Sequence, residues 1–240
     1  MSPDKRQHRG AHPADKSLFG VSHLQALRAS VAEMSWLLSR GYPSKASLKI
    51  VGDRHRLDER QRLAVSRAAC ADDSLARRRA HLLAVEEVSG RDIIIDGFNL
   101  IITLEAALGG GLLLLARDDC IRDLSSVHGS YRSVEETEKA ILLIGKALAP
   151  LEPKSARWLL DQPISNSGRL ARKINELATE RGWPWSVRVV FNPDAEIIAA
   201  GEIAVTSDSI ILDRVAGWIN FNEYLVKRYL PESWLVDLRV

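Results

Sequence analysis

The chain has 240 residues, 46% apolar and 27% charged, with a formal net charge of +2, enough for one large or two small packed domains of ordinary soluble composition. Cys70 and Cys120 are its only cysteines, which excludes a disulfide framework and a thiolate metal site and fits a reducing, cytoplasmic setting. Residues 1–17 have no apolar core, and the apolar stretch 93–116 is broken by Asp96, Asn99, Glu105 and three consecutive glycines, so neither a secretory signal nor a membrane span is predicted.

In chain order, residues 1–17 read as a disordered arm. Ser22 opens a helix with Leu24, Leu27, Val31, Met34 and Leu38 on one stripe, closed by Gly41 and Pro43. Ser47 to Val51 reads as a short extended piece. Asp58 caps a second helix, and an Arg-rich third follows from Ser74. Residues 18–90 thus form a small helical domain. Residues 1–90 hold 16 Lys/Arg against 10 Asp/Glu, and residues 91–240 hold 17 against 21. A basic half beside an acidic half suits a nucleic-acid grip joined to a cation-binding half, with Arg54, Arg56, Arg60, Arg62, Arg67 and Arg77–Arg79 as the phosphate-tracking candidates.

From 91 to 240 strands and helices alternate. Ile93-Ile94-Ile95-Asp96 is a β-branched run ending in an acid; Gly97 permits a tight turn and Asn99 caps the helix that follows. Leu112 to Ala116 is an extra strand or hairpin arm. Ser133 caps a helix with Val134, Thr137, Ile141, Ile144 and Leu148 on its stripe. Arg157 to Asp161, Ser186 to Phe191, Ile203 to Thr206 and Trp218 to Phe221 read as strands, Ser167 to Arg181 and the C-terminal segment as helices. This predicts an α/β domain, a parallel sheet covered on both faces in three layers, preceded by the helical domain.

In such a sheet the strand ends share one edge. They carry Asp96, Asp161, Asn192 with Asp194, and Asp208; Glu135 and Glu136 open the helix capped by Ser133. Converging carboxylates raise one another's pKa unless a divalent cation neutralises them, and hard oxygen ligands suit Mg²⁺ or Mn²⁺. The predicted metal set is Asp96, Glu135, Glu136, Asp161 and Asp208, for phosphodiester hydrolysis by an activated water. Ser165, Asn166 and Arg169, in a strand-to-helix turn, are candidate phosphate contacts. Arg122, His128 and Arg132, with Tyr131, are candidate strand contacts, and Asn99 and Ser207 flank the acids. Gly109–Gly111 lacks the Lys-Ser/Thr of a phosphate loop. Phe98 stands where a haloacid-type phosphotransferase needs its second Asp.

Asp96-Gly97-Phe98-Asn99 resembles the opening motif of PIN-like and NYN-type nucleases, and Thr206-Ser207-Asp208 with Asp213 resembles their late acidic pair, over roughly residues 92–222. The resemblance implies a metal-dependent nuclease, RNA as its favoured partner, and Asp96, Glu135, Asp208 and Asp213 as catalytic acids, Glu135 matching the acid of the middle helix. The whole chain also resembles a two-part prokaryotic family of unknown function, through Trp158 to Arg169 and Val127 to Arg132. The rival reading is a non-catalytic nucleic-acid or protein-binding module on the same scaffold. Oligomeric state is left open, the six tryptophans serving an interface or the core.

Overall fold

The computed structural model describes residues 8–125 and 131–240. Its N-terminal part is helical: α1 (Asp15–Leu18), α2 (Val21–Ser39), α3 (Ser44–Arg54), α4 (Glu59–Ala68) and α5 (Asp72–Ala80). After it come β1 (Leu82–Leu83), β2 (Asp92–Asp96), α6 (Gly97–Leu108), β3 (Leu113–Leu115), β4 (Ile121–Asp123), α7 (Glu136–Leu148), β5 (Ser155–Asp161) and α8 (Ser167–Arg181). The chain finishes with β6 (Trp185–Val190), α9 (Pro193–Ala200), β7 (Ile203–Val205), α10 (Ser209–Leu212), β8 (Trp218–Ile219), α11 (Phe221–Tyr229) and β9 (Leu235–Asp237). No helix among the described residues is long and apolar enough to cross a membrane.

Six strands form one parallel sheet in the order β1-β8-β7-β2-β5-β6. The chain runs outward from β2 through β5 to β6, then returns to the other side of β2 for β7 and β8. The order therefore reverses between β2 and β7, the place where open α/β sheets form a crevice beyond their carboxyl ends. Period-two alternation divides the sheet's apolar side chains between two cores. Ile93 and Ile95 of β2, Trp158 and Leu160 of β5, and Ile203 and Val205 of β7 face the core shared with α6, α7 and α8. Ile94, Leu159 and Ala204 face the other, with Ile197 of α9 and Ile211 of α10. The three β2 isoleucines are wholly buried, each contributing roughly 2–3 kcal/mol. The α/β class with a helical N-terminal part is as predicted.

The hairpin of β3 and β4 joins β9 in a second, three-stranded sheet. One of its faces gives Leu113, Leu115 and Ile121 to the main core. The opposite face gives Leu114, Val236 and Leu238 to the helical part, against Leu27, Val31, Met34 and Val65. This small sheet is a wall common to both cores, and β1, within the predicted helical domain, is already the outer strand of the main sheet. The boundary at 90 is accordingly not clean.

Three local expectations are corrected. Ser47 to Val51 is helical, within α3, because Ser47 and Val51 one turn apart are the buried pair while Ile50 faces solvent. Residues 8–17, expected within a disordered arm, are packed: Asp15 is buried under Arg60 (Nη2–Oδ2 2.9 Å), and Arg9 reaches the buried Glu105 of α6 at 2.6 Å. Ser133 does not cap α7, which begins at Glu136; Thr137 Oγ1 accepts instead from the amide of Val134 at 2.9 Å. The sequence pattern assigns no separate element to β1, β4, α9, α10 or β9.

Gly97 serves close approach rather than a turn. It is the first residue of α6, and a Cβ there would lie 2.9 Å from the Leu159 carbonyl oxygen and 2.6 Å from Leu160 Cδ2. Gly97→Ala must push α6 away from β5, at an expected loss of about 1–3 kcal/mol, measurable by chemical denaturation; an unchanged midpoint would mean that the helix start shifts without cost.

Candidate active site

Four carboxylates from neighbouring strand ends face one cavity of about 360 Å³: Asp208 after β7, Asp96 closing β2, Asp161 closing β5 and Asp194 after β6. Asp96 is both the last residue of β2 and the N-cap of α6. Its Oδ2 accepts from Thr206 Oγ1 at 2.8 Å, and its Oδ1 lies 3.5 Å from the Asn99 amide. Thr206 Oγ1 in turn accepts from the Asp208 amide at 3.0 Å. One hydroxyl thus ties the two acids across the switch point. Asn99 does the same one residue on, its Oδ1 accepting from both the amide and the hydroxyl of Ser207 at 2.9 Å. Asp208 Oδ1 caps α10 through the amides of Ile210 (2.8 Å) and Ile211 (3.3 Å).

Burial pushes the Asp96 carboxyl up to about 7, and the charges of Asp208 and Asp194 push the same way against the Thr206 hydroxyl. Asp161 is raised by burial and by Asp194, and Asp194 by burial and by Asp208. The arginines lining the cavity are turned to other partners. Arg122 is spent on Asp118 and the Ser207 carbonyl, while Arg67 donates to the carbonyls of Asp123 and Ser125 and pairs closely with none of the four carboxylates. A cation would suit four carboxylates so arranged. Among the described residues, however, no three His, Cys, Asp or Glu side chains are placed to share one ion.

The cavity brings together Asp96, Asp161, Asp208, Asn99, Ser207 and Arg122 of the predicted set. Glu135 and Glu136 do not line it. The apolar stripe of α7 faces the core, and its first turn meets the N-terminal arm, where His8 approaches Glu136 at 2.8 Å and Glu135 at 3.7 Å. Asp213 is paired with Arg78 at 2.7 Å and accepts from Ser74 at 3.2 Å, so it ties α10 to α5 instead of facing the cavity. Arg122 is buried and structural.

Ser165, Asn166 and Arg169 are exposed on a turn outside the cavity. There Asn166 adopts a left-handed φ of 69° and donates to the Tyr131 carbonyl at 2.7 Å, while the Ser165 carbonyl accepts from the Tyr131 amide. Arg132 is exposed and does not line the cavity either. His128 lies outside the described residues. Sequence reasoning grouped Asp194 with the strand ends but left it out of the metal set; register alone could have placed it beside Asp161. Asp123, from β4, also lines the cavity, its carboxylate held by Thr103 Oγ1 at 2.9 Å.

Residues 85–224 match a family described as a domain of unknown function (DUF5616), and residues 26–81 match a protein family of unknown function (DUF434). The chain is similar to an uncharacterized protein, MJ0935, of Methanocaldococcus jannaschii, 33% identical over 180 residues that cover 75% of this chain and 86% of that protein. No solved structure matches.

The Asp96 shift has a signed consequence for stability. With a native pKa of about 7 against an ordinary 3.8, the folded state holds a proton that the unfolded chain has released between those values. The contribution of Asp96 is therefore greatest below pH 4, falls as pH rises to 7, and is flat above, by up to about 4 kcal/mol. Asp96→Asn, which removes the titration, is expected to match the wild type near pH 4 and to exceed it in stability at pH 8. Urea midpoints across that range test this; parallel curves would place the proton elsewhere.

Proposed function

We propose that this chain, which belongs to the DUF5616 family, is a Mg²⁺- or Mn²⁺-dependent nuclease of the PIN-like kind, acting on RNA in the cytoplasm. The observation that carries the reading is the row of carboxylates on four adjacent strand ends at the switch point, facing one cavity. A bound divalent ion supplies Lewis-acid activation of a phosphodiester and of water. Asp96 and Asp208 are the residues that would hold it, fixed relative to each other by Thr206, and Asp161 and Asp194 would serve as acceptors beside it. Asp96, its carboxyl raised toward neutrality, would have to release its proton to solvent in order to serve as a ligand. RNA follows from the likeness of Asp96 to Asn99 and of Thr206 to Asp208 to nuclease motifs, and the cytoplasm from two free, buried cysteines.

A non-catalytic binding module is the second reading. It is favoured by the commitment of one Asp208 oxygen to capping α10 and by the lack, among the described residues, of three acids around one point. Cleavage of labelled single-stranded and structured RNA with Mg²⁺ or Mn²⁺ separates the two. Asp96→Asn and Asp208→Asn are each expected to lower the rate by about 100-fold or more, Asp194→Asn by about 10-fold, and Glu135→Gln to leave it unchanged. Metal-dependent RNA binding without cleavage would favour the module; cleavage surviving both of the first two substitutions would remove the site from the reaction.

A further inference from the structure

The arginines of the helical part were expected to act together as a diffuse grip on phosphates. Most of them are instead engaged by the protein's own carboxylates. Arg54 faces Glu33, Arg60 faces Asp15, Arg62 faces Asp53, Arg78 faces Asp118 and Asp213, and Arg79 faces Asp119.

Arg67, in the last turn of α4, differs in two respects. It is the arginine of the helical part that lines the acid cavity, a lining it shares with Ser66, Asp96, Asp194 and Asp208. Its guanidinium is also anchored mainly by uncharged groups: Nη1 donates to the Asp123 carbonyl and Nη2 to the Ser125 carbonyl at 2.9 Å, while the nearest carboxylate, Asp123 Oδ1, stands off at 3.7 Å. Carbonyl anchors fix the plane of the fork without cancelling its charge, and five N–H groups exceed what two carbonyls take up. The side chain is 28% exposed, so the remaining donors can be reached from the cavity. The backbone behind it is braced as well, Arg122 Nη1 donating to the Arg67 carbonyl at 3.2 Å.

We infer that Arg67 is a phosphate-binding residue lent to the acid cavity by the helical part, taking a non-bridging oxygen of a phosphodiester or of free phosphate. The inference rests on reading the cavity as a phosphodiester site. Four carboxylates with a divalent ion attract one side of a phosphate and repel the rest of its charge; a planar cation on the facing wall offsets that repulsion and selects orientation. It also gives the helical part a role in the chemistry beyond packing, since the α/β part alone would lack this donor.

The probe is inorganic phosphate with Mg²⁺, titrated calorimetrically into the full chain and into Arg67→Gln and Arg67→Lys. The expected result is a phosphate affinity at least tenfold weaker in Arg67→Gln and partly kept in Arg67→Lys, with Mn²⁺ affinity, read by electron paramagnetic resonance, the same in all three. Should a variant fold poorly, the unmutated chain supplies the second measurement: phenylglyoxal labelling of Arg67, read by peptide mass, is expected to slow when phosphate is present. Phosphate affinity within twofold of wild type in Arg67→Gln, no phosphate binding by the wild type, or labelling of Arg67 indifferent to phosphate would each overturn the inference. Loss of Mn²⁺ binding in Asp208→Asn is the separate check on the acid site. A wild type that binds phosphate through Arg67 but no Mn²⁺ would overturn the metal reading alone.

Discussion

Two buried guanidiniums on one carboxylate hold this molecule together. Asp118, in the turn between β3 and β4, accepts from Arg78 of α5 at 2.6 Å and from both terminal nitrogens of Arg122 of β4 at 2.7 and 2.8 Å, and all three side chains are buried. Their proximity holds the Asp118 carboxyl far below the usual carboxylate range despite its burial. Taking three charges out of water costs several kcal/mol each, repaid only when geometry and further hydrogen bonds satisfy every donor. Here they do. Arg122 Nε reaches the Ser207 carbonyl at 2.8 Å, and Arg78 reaches Asp213 and the Ser209 carbonyl. The two carbonyls flank Asp208, so the segment carrying that acid is gripped on either side by guanidiniums whose positions the helical part and the small sheet determine.

A second buried pair organises the opposite side of α6. Glu105 is fully buried in an otherwise apolar helix, where its carboxylate accepts from Arg9 of the arm, Tyr131 and Thr137. Burial raises its carboxyl, and the positive charge of Arg9 opposes that rise. Removing Arg9 would leave an uncompensated charge in the core, the costlier half of the buried-pair asymmetry. The arm is therefore packed at this point for electrostatic reasons that its polar composition conceals. In the two clusters Arg9 and Arg78, from the first ninety residues, are the counter-charges for Glu105, Asp118 and Asp213 of the rest.

How much of this the sequence discloses varies with the range of the interaction. β2, its terminal acid and the strands after it are legible, because β-branched runs bounded by turn residues report burial directly, and parallel order then places the strand-end acids on one edge. The α3 segment misleads, since Leu48 and Ile50 mimic period two while the buried pair, Ser47 and Val51, is half polar. Glu135 followed from resemblance to a motif on a middle helix; here that helix turns its first residues toward the arm and His8, and Asp194 stands at the edge instead. Asp118 and Arg122 are four residues apart and look like a surface pair. Only the packing of β3 and β4 between two cores makes them internal.

The two arrangements oppose each other energetically. Asp96 and Asp208 are held by Thr206 and Asn99, and among the described residues neither is paired with an arginine, so the carboxyl edge is held against the mutual repulsion of its acids. Left to itself, such an edge would splay until water separated its acids. Behind it, Asp118 and its arginines are fully paired and fix the Ser207 and Ser209 carbonyls, which keeps Asp208 from retreating. In front, the short reach from Gly97 to the Leu159 carbonyl keeps Asp96 from moving with α6. In this chain the restraint comes from satisfied ion pairs one layer back, and the helical part, through Arg78, supplies half of it.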